Sequence, residues 1–177
     1  MTQDQFASEK PERIDRRRFF YLAGSLGLVA ALPSSVWAGT GNYEAMLLYC
    51  IDPRIVDAVH DYMDQRGLRG KYSQFVFAGA AVGVVAPAFG TWETTFWDNL
   101  GISARLHHIK TVIALDHRDC GAARIAYGEE NVANPQVETT THRKALAEFR
   151  RQVGIRQPDI AVETGLMALD GSVEMFT

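Results

Sequence analysis

Short apolar runs, each followed at once by a turn or helix-start signal, constrain the fold of this chain most. Three of these runs, 45–50, 72–78 and 110–116, lie in the first two thirds of its 177 residues. Such runs are typical of strands buried on both faces of a parallel sheet. A fourth run at 160–169 precedes the turn signal Asp170-Gly171, so we expect 173–176 to form an antiparallel arm at the sheet edge.

The segments between these runs predict helices. Apolar residues recur at three- and four-residue steps from Ile55 to Met63, just after Asp52 and Pro53, which favour a helix start. Three more helices are expected, at about 91–107, 122–127 and 138–153. Because strands and helices alternate, the sequence predicts an α/β fold with a mostly parallel sheet. The Gly- and Ala-rich segment 79–90 has no regular period and is expected to be a loop.

The amino-terminal segment, 1–38, predicts an export signal. Arginines 16–18 precede a run of apolar residues, and 36–38 supply small residues for a signal peptidase. The pattern resembles a twin-arginine signal, which implies cleavage before Gly39 and a periplasmic protein. The alternative, a membrane anchor, has too few apolar residues for a bilayer that needs about 20. The chain therefore divides into a signal peptide, 1–38, and one domain, 39–177, without a stable membrane span after cleavage.

Charge excludes a nucleic-acid partner for the expected domain. Five of the 18 basic side chains and four of the 21 acidic ones lie in the predicted signal peptide. Residues 39–177 therefore carry a net charge of about −4 and contain no basic cluster. We expect a small-molecule partner.

Two cysteines and one histidine follow neighbouring strands of the predicted sheet. Cys50 ends the first run, and His117 and Cys120 follow the third. Ligands of open α/β sheets bind beyond the carboxyl ends of the strands. Two sulfur donors and one imidazole suit zinc, and three protein ligands leave a fourth position for water. The alternative is a Cys50–Cys120 disulfide, since the periplasm is oxidising.

A carboxylate and a guanidinium follow the first cysteine at two-residue steps. Asp52 and Arg54 are expected to pair through a forked hydrogen bond that keeps the carboxylate ionised. Asp52 then either accepts a proton from zinc-bound water or binds the metal as a fourth ligand. The neighbouring Asp116 either orients the His117 imidazole or simply ends the strand, and His142 is expected to be structural.

The two short motifs that contain these residues resemble those of the β-class carbonic anhydrases. The matching motifs are Cys50-Ile51-Asp52-Pro53-Arg54 and His117-Arg118-Asp119-Cys120-Gly121. The resemblance implies a parallel α/β sheet of four to five strands and a homodimer or larger assembly. It also implies zinc bound by Cys50, His117 and Cys120, with Asp52 and Arg54 as the catalytic pair. The implied activity is that of a carbonate dehydratase, the reversible hydration of carbon dioxide to bicarbonate by zinc hydroxide.

The chain departs from the family at polar positions near the expected pocket. Ile51 and Pro53 stand where the family usually has serine, and 77–80 lack the polar members of the family's Arg-Asn-Ala-Gly. Relatives with apolar pockets hydrolyse carbonyl sulfide or carbon disulfide, so that activity is an alternative. Another is a non-catalytic zinc-binding protein with Asp52 as the fourth ligand.

Overall fold

The computed structural model describes residues 41–177, so the predicted signal peptide lies outside the described part of the chain. The described residues form one five-stranded sheet in the order β2-β1-β3-β4-β5. The strands are β1 Ala45–Tyr49, β2 Tyr72–Val76, β3 Thr111–His117, β4 Ala161–Met167 and β5 Val173–Phe176.

The sheet is mostly parallel, as predicted. β1 pairs in parallel with both β2 and β3, and β3 pairs in parallel with β4. Of these five strands only β5 runs antiparallel, against β4, after the tight turn at 170–171. Every residue of β1 is buried, which explains why its sequence is a continuous apolar run rather than an alternating one. The predicted fold class is confirmed.

The described part of the chain contains five α-helices beside the sheet. They are α1 Val56–Gln65, α2 Ala81–Val85, α3 Glu93–His107, α4 Gly121–Tyr127 and α5 Pro135–Arg156. Helix α5 begins three residues earlier than expected, because the Asn134 side chain accepts a hydrogen bond from the Val137 amide and Pro135 suits the first turn. Within residues 41–177, no helix is long and apolar enough to cross a bilayer.

The prediction that 79–90 is a loop was wrong. The segment contains α2 and a 3-10 turn at Pro87–Phe89. Residues 81–84 are all buried, so α2 lacks the exposed polar face that gives a helix its periodic pattern. At five residues it is also too short for a period to be seen.

Two hydrophobic cores lie on the two faces of the sheet. Alternate β1 residues face opposite sides, so Leu47 belongs to one core and Leu48 to the other. The first core contains α1 residues together with both cysteines. The second is built around Phe96 and Phe149, whose ring centroids are 5.4 Å apart. The metal-ligand candidates therefore lie at the end of a sheet that is fixed by packing on both faces.

Candidate metal centre

The structure brings the three sulfur and nitrogen donors together. Cys50 directly follows β1, His117 is the last residue of β3, and Cys120 immediately precedes α4. Because β1 and β3 are hydrogen-bonded neighbours, their carboxyl ends present these side chains at the same edge. The Sγ atoms of both cysteines and one ring nitrogen of His117 all lie within 4.8 Å of one another. The cluster is buried and has the dimensions of a metal site.

The His117 ring is oriented for a metal by a backbone contact. Its Nδ1 lies 2.9 Å from the carbonyl oxygen of Arg118. A carbonyl oxygen only accepts, so Nδ1 carries a proton, and in the neutral ring Nε2 then presents its lone pair. Nε2 is buried and has no hydrogen-bond partner among residues 41–177. A buried acceptor without a partner is costly, and a bound cation would satisfy it.

The two cysteines are free and buried side by side in the cluster. The hydrogen bond from the Cys120 thiol lowers the pKa of Cys50 well below its usual range. The same contact, together with burial, raises the pKa of Cys120. The amide of Gly79 also donates to Cys50 Sγ at 3.2 Å. These contacts favour the thiolate form of Cys50, which is the form that ligates metal ions.

Asp52 and Arg54 form the expected forked pair beside the cluster. Arg54 Nε lies 3.0 Å from Asp52 Oδ1 and Nη2 lies 2.7 Å from Oδ2. Asp52 also caps the following 3-10 turn by accepting from the Arg54 amide at 2.9 Å. These hydrogen bonds lower the pKa of Asp52 to about 2. Asp52 Oδ2 is 3.9 Å from His117 Nε2, so an ionised carboxylate faces the position where a metal would lie.

Arg54 has a second partner that the sequence did not reveal. Its Nη1 lies 2.7 Å from Asp119 Oδ2, and its Nη2 lies 3.0 Å from the Asp119 carbonyl oxygen. Asp119 lies between His117 and Cys120 in the second motif. The only signal was an acidic residue beside the metal ligands, and spacing alone does not pair it with an arginine in the distant first motif.

Sequence comparison relates the chain to proteins of two Rickettsia species. It is 34% identical over 133 residues to an uncharacterized protein of Rickettsia conorii, covering 75% of this chain and 72% of the relative. An uncharacterized protein of Rickettsia bellii is also 34% identical over 133 residues, covering 75% and 81%. The chain belongs to the family of these proteins. No protein-family model matches it.

Solved structures with the same fold are β-carbonic anhydrases. The enzyme of Trichomonas vaginalis matches with a TM-score of 0.52 and 15% identity, over 92% of this chain and 97% of its own. A carbonic anhydrase of Streptococcus mutans matches with a TM-score of 0.51 and 17% identity, over 91% and 92%. The resemblance predicted from the sequence is thus confirmed at the level of the fold.

The carboxylate of Asp116, the residue before His117, is buried and hydrogen-bonded to two helices. Asp116 Oδ2 lies 2.8 Å from His142 Nδ1, and Oδ1 accepts a hydrogen bond from the Ala81 amide at 2.9 Å. Both side chains are fully buried. Of the two roles considered for Asp116, the structure does not support orientation of the His117 ring, whose Nδ1 contacts the Arg118 carbonyl instead. Asp116 joins the end of β3 to α2 and α5.

Gly79, whose amide donates to Cys50 Sγ, lies at a position where a side chain does not fit. Its φ is +78°, and a Cβ there would lie 2.9 Å from the Cβ of Ala122. Replacing Gly79 with alanine should lower the free energy of unfolding by about 2–4 kcal/mol, from backbone strain plus overpacking. Gly67 has a similar φ of +68° with open space around it, so Gly67→Ala should cost only about 1 kcal/mol. Urea unfolding measures both variants. An equal decrease in the free energy of unfolding for Gly79→Ala and Gly67→Ala would contradict the close contact between position 79 and Ala122.

An apolar groove is lined by residues that follow Cys50 and precede Gly79 in the sequence. A cavity of about 390 Å³ runs from Ile51 and Ala78 to the aromatic side chains of Phe77 and Trp92. Ile51 adjoins Cys50, and Ala78 adjoins Gly79, whose amide contacts Cys50 Sγ. Ile51 is 60% exposed and contributes to this apolar surface.

Proposed function

We propose that this protein is a zinc-dependent carbonic anhydrase that interconverts carbon dioxide and bicarbonate. The observation that carries the proposal is the position of Asp52 Oδ2, 3.9 Å from His117 Nε2 and paired with Arg54. A purely structural metal site has four protein ligands and needs no such pair. Here three soft donors form a cluster and an ionised carboxylate faces the remaining side.

The donors present suit zinc. Two cysteine sulfurs and one imidazole nitrogen are the ligand types that zinc takes in catalytic sites, and the His117 tautomer leaves Nε2 free to bind. Cys50, His117 and Cys120 would hold the ion. When zinc is bound, its Lewis acidity lowers the pKa of a water molecule toward about 7.

The residues around the cluster would then orient the reactants. Asp52 has its pKa lowered to about 2, so it remains a hydrogen-bond acceptor at neutral pH and serves to orient the attacking water. Arg54 holds the carboxylate in place through two nitrogens. The reaction consumes carbon dioxide and water and yields bicarbonate and one proton, which leaves to solvent.

Replacing Asp52 with asparagine removes the charge of its carboxylate and tests its proposed role in orienting the attacking water. The Asp52→Asn variant of the zinc-loaded, full-length protein should keep its zinc and lose about 10²-fold or more in kcat/KM for carbon dioxide hydration, measured by stopped flow. The matched control is Asp57→Asn, a change in an exposed aspartate on α1, which should leave the rate unchanged. Equal rates for wild type and Asp52→Asn would reject a catalytic role for Asp52.

The apolar groove favours a second candidate, hydrolysis of carbonyl sulfide or carbon disulfide at the same site. These substrates are less polar than most metabolites and would enter along Ile51, Phe77 and Trp92. Hydrolysis of carbon disulfide consumes two water molecules and releases carbon dioxide and two molecules of hydrogen sulfide, so sulfide release is a direct assay.

A substitution at Ile51 separates the two substrate classes. If carbon disulfide is the substrate, Ile51→Ser should lower kcat/KM for sulfide release about tenfold, because roughly 1.5 kcal/mol of apolar contact is lost. The control is Ile155→Ser, since Ile155 is 67% exposed and lies at the end of α5. No sulfide release by the wild-type protein would reject this second candidate.

The position of Asp52 also supports a third candidate, a zinc-binding protein without activity. A carboxylate 3.9 Å from His117 Nε2 needs only a small side-chain movement to become the fourth ligand. One zinc ion per chain together with no hydration of carbon dioxide and no sulfide release would favour this candidate.

We further propose that the protein is exported and assembles as a homodimer or a larger oligomer. The twin-arginine pattern at 16–18 supports export, and fractionation of cells after Arg16→Lys and Arg17→Lys should show retention in the cytoplasm. Strand β2 lies at the edge of the sheet that residues 41–177 form, and its last residue, Val76, is exposed together with Trp92, which lines the same groove. This exposed apolar edge supports self-association. Analytical ultracentrifugation would measure the assembly state.

A further inference from the structure

Arg54 joins the two turns that carry the metal-ligand candidates. All three of its guanidinium nitrogens donate hydrogen bonds: Nε and Nη2 to the carboxylate of Asp52, Nη1 to the Asp119 carboxylate, and Nη2 also to the Asp119 carbonyl. Asp52 follows Cys50, whereas Asp119 lies between His117 and Cys120. One arginine side chain therefore connects two segments that are far apart in the sequence.

Asp119 is itself held in an unusual backbone conformation. Its φ is +57°, a region that most residues avoid and that aspartate tolerates better than most. The Asp119 amide donates to Glu138 Oε1 at 2.6 Å, and Glu138 is a buried residue of α5. Arg124 holds the other carboxylate oxygen at 3.1 Å. The turn thus presents both the carbonyl and the carboxylate of Asp119 toward Arg54.

Arg54 needs this second anchor because its side chain is 45% exposed. A long, exposed arginine loses rotamer freedom when it is fixed, and one exposed ion pair does little to offset that loss. The contacts to the carboxylate and carbonyl of Asp119 add to those with Asp52 and hold the guanidinium in a single orientation. In that orientation Nε and Nη2 face the Asp52 carboxylate and pair with it.

We propose that Asp119 is a positioning residue, which fixes Arg54 across the two ligand-bearing turns and thereby keeps Asp52 away from the fourth metal position. This inference rests on the proposed metal site and extends the role of the Asp52–Arg54 pair. It assigns the acidic residue within His117-Arg118-Asp119-Cys120 a function in keeping the site open.

Two substitutions separate the side chain of Asp119 from its backbone. Asp119→Gly removes the carboxylate but suits a φ of +57°. Asp119→Asn also tolerates this φ and keeps an oxygen that accepts from Arg54 Nη1. Arg124→Gln removes the other ion-pair partner of the Asp119 carboxylate and leaves the Arg54 contacts in place, so it serves as the control.

The first readout is access of an added ligand to the metal. In the cobalt-substituted, full-length protein, azide should change the visible absorption spectrum when the fourth position is open. Asp119→Gly should weaken azide binding about tenfold, Asp119→Asn should restore most of the affinity, and Arg124→Gln should stay within about twofold of wild type. The double variant Asp52→Asn/Asp119→Gly should bind azide as tightly as Asp52→Asn alone. Unchanged or tighter binding in Asp119→Gly would overturn the proposal.

The second readout does not depend on metal or activity. In the protein as purified, the Nε–H resonance of Arg54, assigned by its loss in Arg54→Lys, should exchange slowly with water. Exchange should accelerate at least fivefold in Asp119→Gly and much less in Asp119→Asn. Equal exchange in wild type and Asp119→Gly would show that Asp119 does not hold Arg54, whatever reaction the site performs. Failure of wild type to bind cobalt would count against the metal site alone, and this exchange measurement would still decide the role of Asp119.

Discussion

Asp116→Ala is expected to lower the free energy of unfolding by about 3–5 kcal/mol, because it removes one partner of a buried polar pair. The Asp116 and His142 side chains are both fully buried. Without the carboxylate, His142 Nδ1 and the Ala81 amide lose their acceptor, and each is left without water to replace it. Urea unfolding followed by circular dichroism measures the loss.

Two further variants test whether the polar groups left unpaired cause the destabilisation of Asp116→Ala. Asp116→Asn keeps an oxygen for the Ala81 amide and an amide group that can donate to His142, so it should cost markedly less than alanine. The double variant Asp116→Ala/His142→Leu removes both polar partners and should be more stable than Asp116→Ala alone. If Asp116→Ala lowered the free energy of unfolding by less than about 1 kcal/mol, the Asp116–His142 pair would stabilise the fold no more than an exposed ion pair does.

Cys120→Ser is expected to abolish stable zinc binding. It replaces a soft sulfur ligand by a hydroxyl that stays protonated at neutral pH, and it removes the thiol whose hydrogen bond lowers the pKa of Cys50. Loss of one of three protein ligands should reduce zinc affinity by about 10³-fold or more, since one outer-shell partner alone contributes roughly 10–100-fold. Zinc competition with a chromophoric chelator gives the dissociation constant.

A matched histidine variant provides the control for that measurement. His108 is exposed, directly follows α3 with a φ of +51° and lies outside the cluster. His108→Asn keeps a residue that tolerates this conformation and should leave zinc affinity unchanged, whereas His117→Asn should resemble Cys120→Ser. Wild-type zinc affinity in Cys120→Ser would contradict the assigned ligand set.

The sequence predicted the strands well because their signal is local. β1 and β3 are continuous apolar runs that are buried on both faces, so each could be recognised without its neighbours. The positions of Cys50 and His117 could be predicted for the same reason, since these residues lie at the ends of the two strands. Helix α2 was missed because it is buried all around and five residues long.

The contacts that support the site depend on tertiary packing and could not be derived from spacing. His142 meets Asp116 only because α5 packs against the carboxyl end of β3. Arg54 meets Asp119 only because the two ligand-bearing turns lie side by side. In both cases the residue types indicated polar chemistry, whereas the partner was fixed by the arrangement of distant elements. The Asp52–Arg54 pair was predictable, since its members are close neighbours in the sequence.

The most direct test of the account is a combined count of zinc and thiols in the protein recovered from cells. The metal-site hypothesis predicts one zinc ion per chain by elemental analysis, and two titratable thiols once the zinc has been removed by a chelator under denaturing conditions. The disulfide alternative predicts the opposite pattern. A protein that contains no zinc, carries a Cys50–Cys120 disulfide and has no titratable thiol would contradict the metal centre and the activity proposed for it.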